Sequence, residues 1–411
     1  MSAAAGDPET STRPAAAGAP LDVFLVFLGL GLTSFGGPIA HLGYFRRAFV
    51  ERRAWLSEAA FADIVALCQF LPGPASSQVG FAVGLTRAGF WGGVAAWTGF
   101  TLPSAVLMTA FAYVQPYVGS GPVGLAALHG LTLVAVAVVA QALLAMARSL
   151  CTDRPTASIA AGAALIVIAS PVSVGQLAAI LAGGLAGLAV CRGAPAAPAE
   201  DGAPRPASGW LIAGLGLFAL LFLPGGVFLA GSPAAALFHA FYKSGALVFG
   251  GGHVVLPLLR DQVVAPGWVS DGAFLSGYGM AQAVPGPLFT FAAYLGAVSR
   301  VGGGLGGGLG GAAIALAAIF LPGLILVGAL LPHWRRLRGA AAAQAAMRGV
   351  NAAVVGILGM AFYNPVWTSG VRAPADLGIA LAAFVLLVAW RAPPLLVVLG
   401  CVGASVSLTL V

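Results

Sequence analysis

A Pro-Gly-Pro triplet occurs twice in this chain, each time inside an apolar stretch and three residues after a glutamine. The first copy runs from Gln69 to Pro74 and the second from Gln282 to Pro287. Proline removes a backbone donor and clashes with the preceding helical turn, so each triplet is expected to interrupt a helix. At membrane depth, an interrupted backbone is tolerated only where it is buried in protein or lines a polar cavity. The pair therefore predicts two broken helices in the protein interior.

The rest of the chain consists largely of apolar runs about 20 residues long. Hydrophobic residues make up 60% of the 411 residues, charged residues only 8%, and the mean hydropathy is +0.98. A soluble domain carries about 25% charge. The pattern predicts an all-α polytopic membrane protein in a lipid bilayer. The net charge of +7 is attributed to arginine-rich cytoplasmic loops rather than to nucleic-acid binding.

Composition also divides the chain. Residues 1–20 are polar and rich in Ala and Pro, and we interpret them as a disordered N-terminal tail rather than a cleaved signal. Residues 192–209 combine Ala, Pro and charge, which is typical of a linker. The linker separates a first half, 21–191, from a second half, 210–411.

The two halves repeat the same landmarks in the same order. The matching pairs are Phe35–Pro38 with Phe249–Gly252, Arg46 with Arg260, Trp55–Glu58 with Trp268–Asp271, the two Pro-Gly-Pro segments, Arg87 with Arg300, and Phe100–Pro103 with Ile319–Pro322. Charge indicates that the halves are inverted, because matching connections carry opposite bias. Arginines crowd 46–53 but not its mate, whereas 335–338 holds three arginines and its mate 115–121 holds none.

Topology and charge agree if each Pro-Gly-Pro is the tip of a re-entrant hairpin. Two half-helices, 61–70 and 74–85, are each too short to span a bilayer. Folding back at the tip places Arg46, Arg87, Arg148 and Arg154 on the cytoplasmic side. The alternative is that Pro-Gly-Pro forms only a kink or a tight turn between helices.

The residues after each tip differ. A half-helix that starts after Pro74 would direct unsatisfied N–H groups inward, and such an end binds anions without a formal charge. Ser76 and Ser77 add hydroxyl donors, whereas the second copy places Leu288 and Phe289 there. We therefore expect the first hairpin to supply more anion donors.

Other candidates lie beside the glycine motifs. Glycine at 36–37 and 250–252 permits close approach of helices or of backbone to a ligand, although simple packing is the alternative. Lys243, the single lysine, would pair with an anion, carry a proton, or snorkel to the interface. His253 and His41 are candidate proton carriers or hydrogen-bonded structural residues. Arg46 is a topology determinant or gathers anions. The four dispersed cysteines indicate neither a metal site nor a disulfide framework.

These motifs resemble those of the chromate ion transporter family. Its first half is matched by Phe-Gly-Gly-Pro-x-Ala-His at 35–41, by Val50–Glu58 and by Leu71–Pro74; its second half by Lys243–Gly245, Phe249–Gly252, Ala283–Pro287, Phe320–Pro322 and Gly349–Ala352. The resemblance covers roughly residues 21–411, in the long two-domain form. One departure is Ala75, which stands where the family often has Asn after Pro-Gly-Pro.

The resemblance implies a multi-pass carrier of the bacterial inner membrane that exports chromate with the proton motive force, without cofactor or metal. Sulfate transport, uptake instead of export, and a membrane-embedded redox enzyme are the alternatives, and a homodimer is left open. The predicted substrate-binding residues are Gly36, Gly37, Pro38, Arg46, Gln69, Pro72, Gly73, Pro74, Ser76, Ser77, Lys243, Gly250, Gly251, Gly252, His253, Gln282, Pro285, Gly286 and Pro287.

Overall fold

The structure, a computed structural model, describes residues 19–170, 172–191, 208–223, 232–301, 307–334 and 340–410. Every regular element within these ranges is helical. Most of the predicted tail (1–18) and linker (192–207), the glycines at 302–306, and Arg335, Arg336 and Arg338 lie outside the described residues.

Seven helices form the first half: α1 Pro20–Thr33, α2 Gly37–Arg46, α3 Glu58–Phe70, α4 Ala75–Val118, α5 Pro122–Leu150, α6 Arg154–Ala169 and α7 Val172–Val190. A π-helical segment, Arg47–Arg52, continues α2. Non-helical backbone at Ala88 and Gly89 divides α4 into α4a (75–87) and α4b (90–118).

Helix α8, Ser208–Phe222, comes next along the chain. The remaining helices of the second half are α9 Pro233–Ala246, α10 Val255–Val263, α11 Asp271–Ala281, α12 Phe291–Val298, α13 Gly308–Leu330, α14 Ala341–Ala361, α15 Pro374–Val388 and α16 Pro394–Leu410. Short 3-10 turns, Gly252–Val254 and Leu288–Thr290, precede α10 and α12. Further helical turns continue α14 to Gly370.

Four helical segments are long and apolar enough to cross a membrane: Ala75–Val118, Pro122–Leu150, Gly308–His333 and Ala341–Gly370. Seven shorter apolar helices accompany them in the described part. The chain is therefore a multi-pass, all-α membrane protein, as its composition predicts.

Local sequence explains where the hairpin helices begin. Ser57 accepts a hydrogen bond from Ala60 N at 3.2 Å, and Ser270 accepts one from Ala273 N at 3.3 Å. Each serine caps the first turn of its helix, and the following acid, Glu58 or Asp271, favours the positive end of the helix dipole. Ser57 is therefore the N-cap of α3, and Ser270 is the N-cap of α11.

Each Pro-Gly-Pro lies at the tip of an antiparallel helix pair. In the second pair, Tyr294 Oη donates to Ala273 O at 2.9 Å, and Arg300 N donates to Trp268 O at 3.1 Å. In the first pair, the guanidinium of Arg87 lies 5.2 Å from the ring centroid of Trp55, at the end opposite the tip. The 13-residue α3 is about 20 Å long, which is too short to cross a bilayer. The re-entrant path through the membrane stays a prediction.

The long helices α5 and α14 show that the halves are inverted. Gly359 of α14 lies against Leu143, and further along, Gly370 lies against Val136. Residue numbers rise along one helix as they fall along the other, so the two helices are antiparallel. The two helices hold equivalent positions in the two halves and both are long enough to span, so their antiparallel directions are those of an inverted repeat.

The halves are also interleaved. α14 packs against α6 and α7 of the first half, whereas α5 packs against α15 and α16 of the second. We call these six helices the frame. The other unit, the core, consists of α1–α4 and α9–α13, with α8 packed on α13. Each unit therefore contains elements of both halves.

Candidate functional site

The two hairpin tips, Pro72–Pro74 and Pro285–Pro287, bind the opposite halves reciprocally. Gly73 N donates a hydrogen bond to Val248 O at 2.8 Å, and Gly286 N donates one to Ser34 O at 2.8 Å. Ser34 and Val248 each immediately precede the glycine motif of their own half. The structure thus joins each tip to the glycine motif of the other half, at the centre of the core.

Both tips require glycine. Gly73 has φ +124° and Gly286 has φ +100°, a region that other residues rarely adopt. A Cβ on Gly286 would lie 2.7 Å from Ser104 Oγ, and one on Gly73 would lie 3.1 Å from Gly323 Cα. Ser104 and Gly323 follow the equivalent prolines of the two halves, so the packing is also reciprocal. A side chain at either tip would displace neighbouring backbone or side chains.

A cavity of about 730 Å³ lies between the core and the frame. Its core wall contains predicted residues of both halves: Gly36, Gly37, Pro38, His253, Gln282 and Gly286. Its frame wall is formed by α5, α15 and the connection to α16, and the polar side chains there are Gln141, Arg148 and Arg391. The volume lies within the range of about 300–1,000 Å³ that is usual for small-ligand sites.

The cavity is suited to an anion. Arg148 and Arg391 are exposed, and no acidic side chain lines the cavity within the described residues. The amides of Gln141 and Gln282 supply neutral donors. Gly36, in the left-handed region, precedes α2 and leaves its first N–H groups without a side-chain cap. Together these groups offer positive charge and hydrogen-bond donors without a competing carboxylate.

His253 also borders the cavity. Its Nδ1 lies 2.6 Å from Tyr278 Oη, and the hydroxyl and the ring nitrogen can exchange donor and acceptor roles. This contact fixes the imidazole against α11, beside the second tip. His253 is therefore hydrogen-bonded and also reaches the cavity, and its role as a proton carrier stays a prediction.

The first tip lies away from the cavity. Ser76 and Ser77 are buried, and Ser76 Oγ lies 3.3 Å from His41 Nδ1. Gln78 Nε2 holds the tip by donating to Pro72 O at 2.9 Å and to Gly323 O at 3.3 Å. Gln69 is exposed, unlike its mate Gln282. In this structure the second tip borders the cavity, although the first has more polar side chains.

The second glycine motif is covered. A Cβ on Gly250 would lie 3.3 Å from Leu150 Cδ1, and one on Gly252 would lie 3.5 Å from Pro38 Cγ. Gly251, with φ +154°, faces Met146. Side chains of α5 and Pro38 of α2 therefore occupy the space beside this motif, whereas a Cβ on Gly37 would have no neighbour within 4 Å.

Two predicted charged residues lie outside the cavity. Arg46 donates to Glu58 at 2.8 Å and also pairs with Glu51. The hydrogen bond from Arg46 lowers the pKa of the exposed Glu58 carboxyl. Lys243 lines a separate small pocket with Gln176 and Asp261. Neither cation is placed to contact a ligand in the cavity of this structure.

Sequence reasoning missed the frame side of the site. Arg148 was expected only as a topology marker, and Gln141 and Arg391 were not predicted. Arg391 stands between the last two apolar helices and has φ +52°, which turns the chain towards the cavity. A charged residue between two apolar segments was the available signal, but it belongs to no repeated motif.

A repeat with broken helices around a cation-lined cavity is typical of one class of protein, the membrane transporters. No group of three or more His, Cys, Asp or Glu residues that could hold a metal ion occurs among the described residues.

The chain belongs to the chromate transporter family, which it matches over residues 21–188 and 235–406. It is 29% identical over 394 residues to a chromate transport protein of Pseudomonas aeruginosa, with 90% of this chain and 87% of that protein covered. It is 27% identical over 368 residues to a chromate transport protein of Cupriavidus metallidurans, with 88% of this chain and 85% of that protein covered. No solved structure matches the chain. The resemblance drawn from the motifs is confirmed.

Proposed function

We propose that this protein exports chromate from the cytoplasm in exchange for protons. The observation that carries the proposal is the cavity itself, which presents two arginines and two glutamine amides and, among the described residues, no acid. Chromate is a tetrahedral dianion with four acceptor oxygens, and such a ligand is stabilised by cations and N–H donors. Relatives named chromate transport proteins support the same substrate.

Charge indicates which face the cavity opens towards. Arg148 lies at the last turn of α5, and Arg154 begins α6 on the same face. Arg348 pairs there with Asp153 at 2.8 Å. The positive-inside rule assigns this arginine-rich face to the cytoplasm. The cavity would then be open to the compartment from which chromate is exported.

The interleaved fold favours one kind of movement. In many inverted-repeat transporters, one unit rocks against the other around a fixed site. The halves cannot move as rigid bodies, because α14 is packed between α6 and α7 of the first half and α5 binds α15 and α16 of the second. Movement of the core against the frame keeps those contacts and exposes the cavity to each face in turn.

Chromate uptake into everted membrane vesicles tests the proposal. The vesicle lumen corresponds to the outside of the cell, so export appears as uptake. We expect saturable chromate uptake that rises when the lumen is acidified and collapses when an ionophore removes the pH gradient. Uptake without gradient dependence would contradict proton coupling. Stronger competition by sulfate than by unlabelled chromate would reassign the substrate to sulfate.

A further inference from the structure

The core contains two equivalent grooves, and only one of them is covered by the frame. In the second half, Lys243 lies six residues before Phe249, and Asp261 follows Arg260. Gly29 and Arg47 hold the equivalent positions relative to Phe35 and Arg46. The groove in the first half is about 290 Å³ and is lined, within the described residues, by α1, α2 and its π-helical continuation. Its mate has shrunk to about 20 Å³.

Helix α7 closes the second groove through Gln176. The Gln176 side chain is 8% exposed, and its Nε2 donates both to Pro257 O at 3.2 Å and to Asp261 Oδ2. Gln176 belongs to the frame, whereas Pro257 and Asp261 belong to the core. The contact therefore joins the two moving units on the face opposite Arg148, since α6 begins on the Arg148 face and α7 begins where α6 ends.

Asp261 is a partly buried acid with a neutral partner. Its neighbour Arg260 forms an ion pair with Asp271, with Nε 3.0 Å from Oδ1. The charged groups around Asp261 in the described part are Lys243 on α9 and Arg260 on its own helix, while α7 presents the neutral Gln176. Helix α10 belongs neither to the four long spans nor to the shorter apolar helices. The carboxyl thus lies where a change in cover by α7 changes its access to water.

We infer that Asp261 is the group that binds the coupling proton. It takes the proton up from the compartment opposite the cytoplasm as α7 closes over α10, and it gives the proton up to the cytoplasmic side before the two helices separate again. The inference rests on the proposed proton coupling. It also gives Lys243 a role, since an ammonium group near Asp261 helps the carboxylate form when the proton leaves.

The direction of coupling follows from linkage. Burial raises the pKa of Asp261 from 3.8 to about 7, and Arg260 and Lys243 oppose that rise. If separation of the helices returns the carboxyl to water, its pKa falls towards the ordinary value. The covered state then binds the proton more tightly, so acid favours the covered state. Raising the pH from about 4 to about 7 shifts the balance progressively towards separation.

Two transport assays on reconstituted protein separate coupling from transport itself. Chromate accumulation driven by a pH gradient needs net proton movement, whereas chromate counterflow at equal pH does not. In Asp261→Asn, the amide can still accept from Gln176 but binds no proton. We expect gradient-driven accumulation to fall by about ten-fold or more while counterflow stays within about two-fold of wild type.

Three further variants complete the test. Asp261→Glu keeps a titratable carboxyl and should restore accumulation, and Asp22→Asn, which changes an exposed acid in the first turn of α1, should behave as wild type. Lys243→Ala should move the pH midpoint of accumulation upward, because the cation that favours the carboxylate is lost.

The outcomes distinguish the two proposals. Wild-type accumulation that is indifferent to the gradient would contradict proton coupling itself. A coupled wild type with an equally coupled Asp261→Asn variant would overturn the role of Asp261 alone. Loss of both counterflow and accumulation in Asp261→Asn and Asp261→Glu alike would show that the residue is only structural.

Discussion

The two grooves of the core occupy equivalent places in the repeat, yet the frame covers one and leaves the other open. The covered groove holds Gln176 against Asp261. In the open groove, Arg47 stands in place of Asp261. Backbone features repeat, including the tips and their reciprocal hydrogen bonds, whereas the polar side chains in the two grooves do not. The repeat therefore provides the backbone scaffold, and the differences between its two copies are what could make transport directional.

Substitution of the tip glycines should have the largest effect on binding and transport. Gly286→Leu places a side chain at φ +100°, against Ser104 and beside the open cavity, so both chromate binding and transport should be lost. Gly73→Leu strains the first tip, which lies away from the cavity. Transport should therefore fall, while chromate binding in the cavity persists. Binding by purified protein and uptake by vesicles measure the two effects.

Membrane insertion of both glycine variants is the control, checked by expression and gel filtration in detergent. A fully active Gly73→Leu variant would reduce Pro-Gly-Pro to a packing element. Equal loss of binding in both variants would show that the two tips contribute alike to one site.

Removal of the cavity arginines should have an intermediate effect. Arg391→Gln and Arg148→Gln each remove a cation from the open side, and we expect the KM for chromate to rise about ten-fold, which corresponds to about 1.4 kcal/mol. The maximal rate should change less, because the moving units are untouched. Arg154→Gln is the matched control, since Arg154 lies on the same face but outside the cavity. An unchanged KM in both cavity variants would exclude this wall from the site.

The smallest effects are expected in the frame, where the two copies remain alike. His129 pairs with Asp376 at 2.8 Å, and Arg348 pairs with Asp153 at 2.8 Å; each pair ties a long helix to the start of a helix from the other half. Asp376→Asn should lower the free energy of unfolding by about 1 kcal/mol, and Asp153→Asn should lower it as well. Thermal unfolding in detergent would show a fall in melting temperature for both variants if the asymmetry is confined to the grooves and the cavity.

The pH dependence of these frame pairs has a defined sign. Burial opposes ionisation of Asp376, but hydrogen bonds from His129 and from the N–H groups of Arg372 and Ala373 outweigh it and lower its pKa. Hydrogen bonds from Thr156 lower the pKa of Asp153. Both acids therefore stabilise the fold at neutral pH, and their contribution is lost as the pH falls through the lowered values. Wild type and the two asparagine variants should converge in strong acid.

Local rules predicted much of the architecture. Ser57 and Ser270 mark helix starts, the prolines mark interruptions, and opposite charge bias in matching loops indicates inversion. Caps and prolines determine structure within a few residues, and charge bias requires only a count of the charged residues in each loop, so both can be read from sequence. The match to the chromate transporter family then depends on the same motifs.

The arrangement around the cavity was less accessible from sequence. Gly36, Gly37, Pro38, His253, Gln282 and Gly286 do come together there, whereas Lys243, Arg46, Gln69, Ser76 and Ser77 lie elsewhere. Which of two equivalent tips borders an opening depends on how the core sits against the frame, and no local pattern encodes that position. Arg391 was missed for the same reason, because its neighbours in the cavity come from distant parts of the chain.

The reciprocal hydrogen bonds of the tips have a consequence for biogenesis. Gly73 finds its acceptor only at Val248, and α6 and α7 find α14 later still. When only the first half has been synthesised, the Gly73 N–H group therefore has no acceptor from Val248. The surfaces of α6 and α7 that later pack on α14 are also uncovered until the second half is inserted. A truncated chain would be expected to expose these surfaces to proteases of the membrane, so quality control can distinguish an unfinished transporter from a complete one.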